Sequence, residues 1–344
     1  MPVSKIDEEA LERAAQILRS GRLVAFPTET VYGLGGDARN PEALAKIFSA
    51  KGRPRFDPLI VHIAEPGALG EVADLDALDA RSRQRLQALA ETLWPGALTL
   101  VLPKNAAIPD LVSGGLSTVA ARLPDHAQAR RLIELSGGAI AAPSANPFGR
   151  LSPTLAHHVD EALGSKVALI LDGGPCRIGV ESTVLDVSEA RILRPGGVSR
   201  EAIESVIGPV SAGASLLDEA ERASPALPSP GLLASHYAPR RDLAAHSGEA
   251  MRALSFSADR AYLFFDGASR EAWISGPGDR GAVIETLSET GDDIEAAARL
   301  FQALHSLDAP DVAGINGIHA QLAPERGLGL AINDRLRRAA RGKA

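Results

Sequence analysis

Eight short apolar runs between residues 22 and 196 constrain the fold most: "RLVAFP", "PLIVHI", "ALTLVLP", "STVAARLP", "GAIAAPS", "KVALILDGG", "STVLDVS" and "RILRPG". Each is short and bounded by turn-forming residues, which reads as a strand. Between them lie stretches with helix start signals. These are 7–19, closed by Gly21; 41–50, with Asn40 as cap and Pro41 in the first turn; 126–136; 153–163, with Ser152 as cap; and 199–206. Strands alternating with helices predict an α/β chain.

The alternation stops near Gly208. "PVSAGASLLDEAERASPALPSPGLLASHYAP" gathers Ala, Ser and Pro without periodicity and reads as a linker. "RAYLFFDG", "GAVIETLS", a helix over about 291–307, "DVAGINGI" and a basic helix over 331–341 then predict a smaller α/β unit. The expected domains are 1–208, a linker at 209–240, and 241–344; 344 residues suffice for two cores. A net charge of −7 argues against a broad nucleic-acid surface. The lone cysteine, Cys176, excludes an internal disulfide or a cysteine zinc site and reads as a small buried residue. "MPVSKIDEEALERAAQIL" reads as an amphipathic acidic helix rather than a signal peptide, and no apolar run reaches membrane-spanning length, so a cytoplasmic protein without membrane partners is expected.

The loops carry more polar chemistry than a scaffold requires. In "AFPTETVYGLGGDA" (25–38), Gly33, Gly35 and Gly36 predict backbone that takes positive φ or approaches something closely, next to Thr28, Glu29 and Thr30. "KGRPRFDP" (51–58) sets Lys51, Arg53 and Arg55 at a helix end, with Pro54 and Pro58 holding the segment extended. "APSAN" leaves Ser144 and Asn146 at a strand end, where ligands of α/β sheets lie. "GVESTV" and "LRPGG" repeat the pattern of hydroxyl, arginine and glycine. Lys51, Arg53, Arg122 and Arg194, converging with several hydroxyls, predict a pocket for a polyanion such as a nucleoside triphosphate. His157 and His158, beside Asp160 and Glu161, read as a solvated helix face rather than a metal cluster. No metal site built from side chains is expected.

"PTETVYGLGGDA", "KGRP" followed by "PLIVHI", "STVAARLP", "APSAN", "GVESTV", "LRPG" and "SPGLLASHYAP" together resemble the YrdC-type threonylcarbamoyl-AMP synthases, in the longer form with a C-terminal domain. The motifs run in order from about residue 20 to 240. The resemblance implies a twisted mixed sheet with helices and a concave ligand pocket, followed by a Rossmann-like C-terminal α/β domain. It implies a nucleotidyltransferase that condenses L-threonine, bicarbonate and ATP to threonylcarbamoyl-adenylate and pyrophosphate. The product would pass to a tRNA threonylcarbamoyl transferase that modifies an anticodon-adjacent adenosine. Magnesium would arrive with ATP, and no stable nucleic-acid binding is implied.

By motif position, Thr30, His62, Arg122, the backbone of Ala142, and Ser182 would hold threonine. Arg53, Asp57, Thr118, Ser144, Ser152 and Arg194 would hold ATP, with His236 and Tyr237 closing over it from the linker as a lid. Lys51, Arg53, Ser144 and Asn146 would act around the phosphates. Asp57 departs from the asparagine expected there, and a carboxylate beside a triphosphate is repulsive unless paired or turned away. Glu29 is open between a general base and a brace for its loop. An alternative reading is a non-catalytic RNA-binding or ribosome-associated module, against which the acidic charge and the scarcity of rings (8 Phe, 3 Tyr, 2 Trp) argue. The related carbamoyltransferase of hydrogenase maturation needs cysteine zinc motifs that one cysteine cannot supply.

Overall fold

The computed structural model describes residues 3–212, 236–279 and 281–341. The chain divides into two compact units. One comprises Met1–Phe148, Pro153–Arg177 and Glu181–Leu233; the other comprises Gly149–Ser152, Ile178–Val180 and Ala234–Ala344.

The first unit runs β1 (Val3–Lys5), α1 (Glu8–Arg19), β2 (Val24–Phe26), β3 (Gly33–Asp37), α2 (Pro41–Lys51), β4 (Ile60–Ile63), α3 (Ala80–Leu93), β5 (Leu98–Pro103), α4 (Asp110–Ser113), β6 (Thr118–Arg122), α5 (Ala127–Ser136), β7 (Ala139–Ala141), α6 (Ala156–Leu163), β8 (Leu169–Asp172), β9 (Thr183–Asp186), β10 (Arg191–Arg194), α7 (Arg200–Ile207) and β11 (Ser211–Ala212). Its strands form one mixed sheet in the order β1-β8-β2-β3-β7-β4-β6-β5-β9-β10-β11. The mixed α/β class is as expected, and all eight apolar runs contain a strand.

Helix ends follow the capping chemistry. The side chains of Asp7, Asn40 and Ser199 accept N–H bonds from the first turns of α1, α2 and α7, and Gly52 closes α2 in the left-handed conformation. Four expectations change. Val3–Lys5 is a strand paired with β8, so the N-terminal helix begins only at Glu8. α6 starts at Ala156 and Ser152 does not cap it; the Pro153 carbonyl instead accepts the Tyr32 N–H at 2.9 Å, holding that stretch extended. α3 was not foreseen, although Asp79 caps it and Leu86 and Leu89 are buried on one side.

The fourth change concerns the glycines. Gly33–Asp37 is a strand between β2 and β7, not a loop, and Gly35 is needed for close packing. A Cβ there would lie 2.8 Å from Phe26 Cε1 and 2.9 Å from Ile140 Cγ2.

Pleating then decides which residues face the core. Leu100, Ala121, Val61 and Ala141 are register partners across β5, β6, β4 and β7, and all four are fully buried in the main apolar core. The adjacent row, one residue along each strand, must face the other way. That row contains Thr99, Arg122 and His62.

The second unit carries a wholly parallel sheet ordered β12 (Asp242–His246), β15 (Gly317–Gln321), β13 (Arg260–Asp266), β14 (Val283–Ser288). Its helices are α8 (Gly248–Arg252), α9 (Gly267–Ile274), α10 (Asp293–Asp308) and α11 (Gly329–Ala340). β12 was not foreseen, and β15 overlaps only the end of the run expected at 311–318.

Candidate active site

Five neighbouring strands of the first unit bring one row of polar side chains together. His62 on β4 is the register partner of Arg122 on β6, which is the partner of Thr99 on β5. Ser182 immediately precedes β9, beside β5, and Arg194 ends β10. All five are buried.

Arg122 is held on three sides. Nη2 lies 2.7 Å from Glu29 Oε1, Nη1 donates to Thr30 Oγ1 at 2.9 Å, and Nε donates to Gly96 O at 3.3 Å. A guanidinium has five N–H groups, so two remain for a ligand. Burial raises the Glu29 carboxyl, but the charge and hydrogen bond of Arg122, with backbone N–H groups, outweigh it and hold the acid below its usual range. Glu29 is therefore a brace for the arginine. Its own turn is fastened by Thr28, whose hydroxyl donates to Val31 O at 2.7 Å and lies 2.8 Å from Thr30 Oγ1.

His62 is an uncharged imidazole. Burial, then the adjacent Arg122 charge, pushes its pKa down to about 3. Its Nδ1 and the hydroxyl of Thr154 are buried without a hydrogen-bond partner among the described residues. Buried polar atoms left unpaired in this way mark where a ligand or water belongs.

At the other end of the row, Thr99 Oγ1 lies 2.7 Å from Ser182 Oγ. Arg194 Nη2 donates to Ser182 O at 2.9 Å and to Ser182 Oγ at 3.2 Å. The turn after Arg194 lies flat on this segment: a Cβ on Gly196 would come 2.3 Å from the Ser182 and Thr183 backbone, so only glycine fits. Thr99 was not a sequence candidate. Its signal was a single hydroxyl inside the apolar run "ALTLVLP".

A second cluster sits where α2 ends. Lys51 Nζ donates to the carbonyls of Ser144, at 2.6 Å, and Asn146. Burial, followed by the Arg53 charge, holds the Lys51 amine well below its ordinary value, opposed by Asp57 and Glu181. Arg53 Nη2 pairs with Asp57 Oδ1 at 2.8 Å, and both side chains are buried. Arg53 also donates to Asp57 O and Pro58 O. The Asp57 carboxylate is thus neutralised within its own loop, while Arg55 is exposed. Ser144 bridges to Gly33, and the Ala142 N–H is spent on Ile60 O at 2.9 Å, leaving its carbonyl for any backbone contact to a substrate. Thr118 opens β6, half-buried.

Ser152, His236 and Tyr237 lie in the second unit. There the Tyr237 ring is 1% exposed, 5.6 Å from the Phe301 ring and 5.4 Å beneath the Arg335 guanidinium. The His305 ring nitrogen meets Ser152 O at 3.1 Å, and Ala238 N donates to Gly149 O at 2.7 Å. The rest of the linker stretch, 213–235, lies outside the described residues.

Three other readings resolve. His158 is buried and accepts the Thr154 N–H at 3.3 Å, so only His157 is on a solvated face. Arg335 and Arg338 of the basic last helix are fully buried, each paired with Asp334, because α11 turns them inward. Cys176 is a buried free thiol, raised by burial to about 12.

Residues 16–196 match the family model described as "Telomere recombination", and 198–341 match "Threonylcarbamoyl-AMP synthase, C-terminal domain". A threonylcarbamoyl-AMP synthase of Pyrococcus abyssi is 42% identical over 97% of this chain and 95% of its own length; one of Bacillus subtilis is 41% identical over 98% and 94%. A crystal structure of P. abyssi Sua5 complexed with L-threonine superposes with a TM-score of 0.83 at 39% identity, covering 98% of this chain and 96% of that one. The described residues contain no helix long and apolar enough to cross a membrane. With both halves of its length matched and relatives aligned almost end to end, the chain belongs to the threonylcarbamoyl-AMP synthase family of nucleotidyl-transferring enzymes.

Proposed function

We propose that this enzyme condenses L-threonine, bicarbonate and ATP to L-threonylcarbamoyl-adenylate, releasing pyrophosphate, and supplies tRNA threonylcarbamoyladenosine synthesis. The observation that carries the reading is the buried Arg122, fixed by Glu29 and Thr30 with two N–H groups to spare, beside a neutral His62. Those two groups match a threonine carboxylate, and a neutral imidazole can accept or donate without repelling a cation. In this reading Thr30 and Ser182 meet the threonine hydroxyl and amine.

The amine condenses with bicarbonate, releasing water, to give a carbamate whose oxygen attacks the α-phosphorus of ATP while the bond to pyrophosphate breaks. Such a transfer depends on positioning and charge stabilisation. Arg194 supplies positive charge, Arg53 shares its own with Asp57, and Lys51 supplies N–H donors; their bonds to backbone carbonyls hold them in place before substrate arrives. Magnesium would arrive with the substrate, as Mg-ATP. Among the described residues no three metal-ligating side chains converge, and the Glu29 and Asp57 carboxylates face arginines. The domain division at 208 and 240, with His236 and Tyr237 as a lid, and a cytoplasmic location belong to the same proposal.

Pyrophosphate release by the purified full chain, with threonine, bicarbonate or ATP omitted in turn, tests it. Dependence on all three is expected; turnover that ignores threonine would refute it.

A further inference from the structure

The second unit has a cavity of its own, of about 410 Å³. It opens at the carboxyl ends of all four parallel strands, lined by residues that follow β12, β13, β14 and β15. Topology makes this edge a crevice. The chain passes from β12 over β15 to β13 and on to β14, then returns through α10 to β15, between β12 and β13. Right-handed crossovers put the outward and returning helices on opposite faces. α9, after β13, packs with α8, whereas α11, after β15, packs with α10 and β12. The loops after the neighbouring strands β13 and β15 therefore diverge, the arrangement in which open α/β sheets bind ligands.

The floor of the cavity is a fixed polar network. Gln321 is 4% exposed; its Nε2 donates to Ser269 Oγ at 3.1 Å and Asp266 Oδ2 at 3.3 Å, and its Oε1 accepts the Phe265 N–H at 3.1 Å. Asp266 also accepts from the Ser269 N–H and hydroxyl. The Glu289 carboxylate on the rim is paired with Arg270 at 2.6 Å. Both carboxylates are thus satisfied internally. The Arg252 side chain, exposed at the cavity's edge, makes no hydrogen bond or ion pair among the described residues, so the charge left to meet a ligand there is positive. Gly248 keeps the approach open: a Cβ on it would sit 3.3 Å from Gln321 Nε2 and 3.5 Å from Arg252 Nη1.

We propose that this cavity is a second binding site, separate from the Arg122 row, for a small metabolite bearing an oxyanion, which pairs with Arg252 while its polar remainder meets Ser269 and Gln321. The volume suits a mononucleotide or a small carboxylic acid. The inference does not depend on the synthase reading.

Amide NMR of the full chain, titrated separately with inorganic phosphate, AMP and citrate, tests it. Saturable shifts at Gly248, Ser269 and Gly291 are expected with at least one probe. Response to phosphate and AMP identifies a phosphate group; response to citrate alone identifies a carboxylate. Arg252→Ala should weaken that binding about tenfold or more, and Gly248→Val should block it with the fold retained. If these amides ignore all three probes, or respond equally in Arg252→Ala, the proposal is wrong.

Discussion

Glu29 Oε1 stands 2.7 Å from Arg122 Nη2, with 1% and 4% of the two side chains exposed. Removing one member of such a buried pair leaves the other uncompensated, at a cost of about 3–5 kcal/mol. Glu29→Ala is expected to lower the denaturant midpoint accordingly and to weaken threonine binding. Because the folded pKa of Glu29 is depressed, the pair's contribution is complete above the acid's ordinary value of 4.5 and is lost as pH falls through the folded value. Equal acid sensitivity in the wild type and Glu29→Gln would refute the bracing role.

His62 titrates well below an enzyme's usual histidine. Its folded pKa of about 3 lies below the ordinary 6.5, so the unfolded chain binds the proton first and stability falls as pH drops from 6.5 towards 3. The slope from this one group is at most about 1.4 kcal/mol per pH unit. His62→Asn should flatten the stability profile over that range, and an imidazole NMR titration should show no His62 ionisation above pH 5. An inflection near 6.5 would contradict the burial argument.

The strand ladder was legible because each strand is an apolar run closed by a turn residue, as "STVAARLP" shows around Arg122. Arg122, His62 and Ser182 were singled out through the resemblance to the synthase motifs, and they lie in one buried row. What could not be read was the partner each residue would choose. Asp57 looked repulsive in sequence and is neutralised by Arg53 four residues earlier. Gly33, Gly35 and Gly36 looked like a ligand loop, yet they form a strand packed against Phe26, Ile140 and Ile47. The basic helix at 331–341 does not announce that Arg335 and Arg338 are buried: their acid Asp334 is a near neighbour in the chain, but nothing local reports the distant Tyr237 ring that receives Arg335.

Thr99 supports Ser182 from below, through hydroxyls 2.7 Å apart. Thr99→Val keeps the shape and removes the partner, for a stability loss of about 1 kcal/mol. The Michaelis constant for threonine should rise while the circular dichroism spectrum is unchanged. Wild-type kinetics in Thr99→Val would remove it from the site.

Gly35→Ala and Gly70→Ala form a matched pair. The first places a methyl 2.8 Å from Phe26 Cε1, and the second meets nothing within 4 Å. Overpacking costs about 1–3 kcal/mol, so urea midpoints should separate the two variants, with Gly70→Ala close to wild type. Equal midpoints would mean that β3 does not lie where it is described.

Tyr237 holds a left-handed φ of 62° while its ring is enclosed by Phe301 and Arg335. Tyr237→Ala should destabilise the second unit by about 3–5 kcal/mol, measured by proteolysis or calorimetry. Unfolding of Tyr237→Ala at the wild-type midpoint would contradict the anchoring role.

The central claim is that the Arg122 row builds a carbamoyl-adenylate from threonine. Its most direct measurement is mass spectrometry of the products formed from ATP, L-threonine and carbon-13 bicarbonate by the wild type and by Arg122→Lys. The account predicts a threonylcarbamoyl-adenylate that carries the label in the wild type, and at least tenfold less of it in Arg122→Lys, because a lysine cannot reproduce the two-pronged contact to a carboxylate. An adenylate without the label, or equal yields from both proteins, would contradict it.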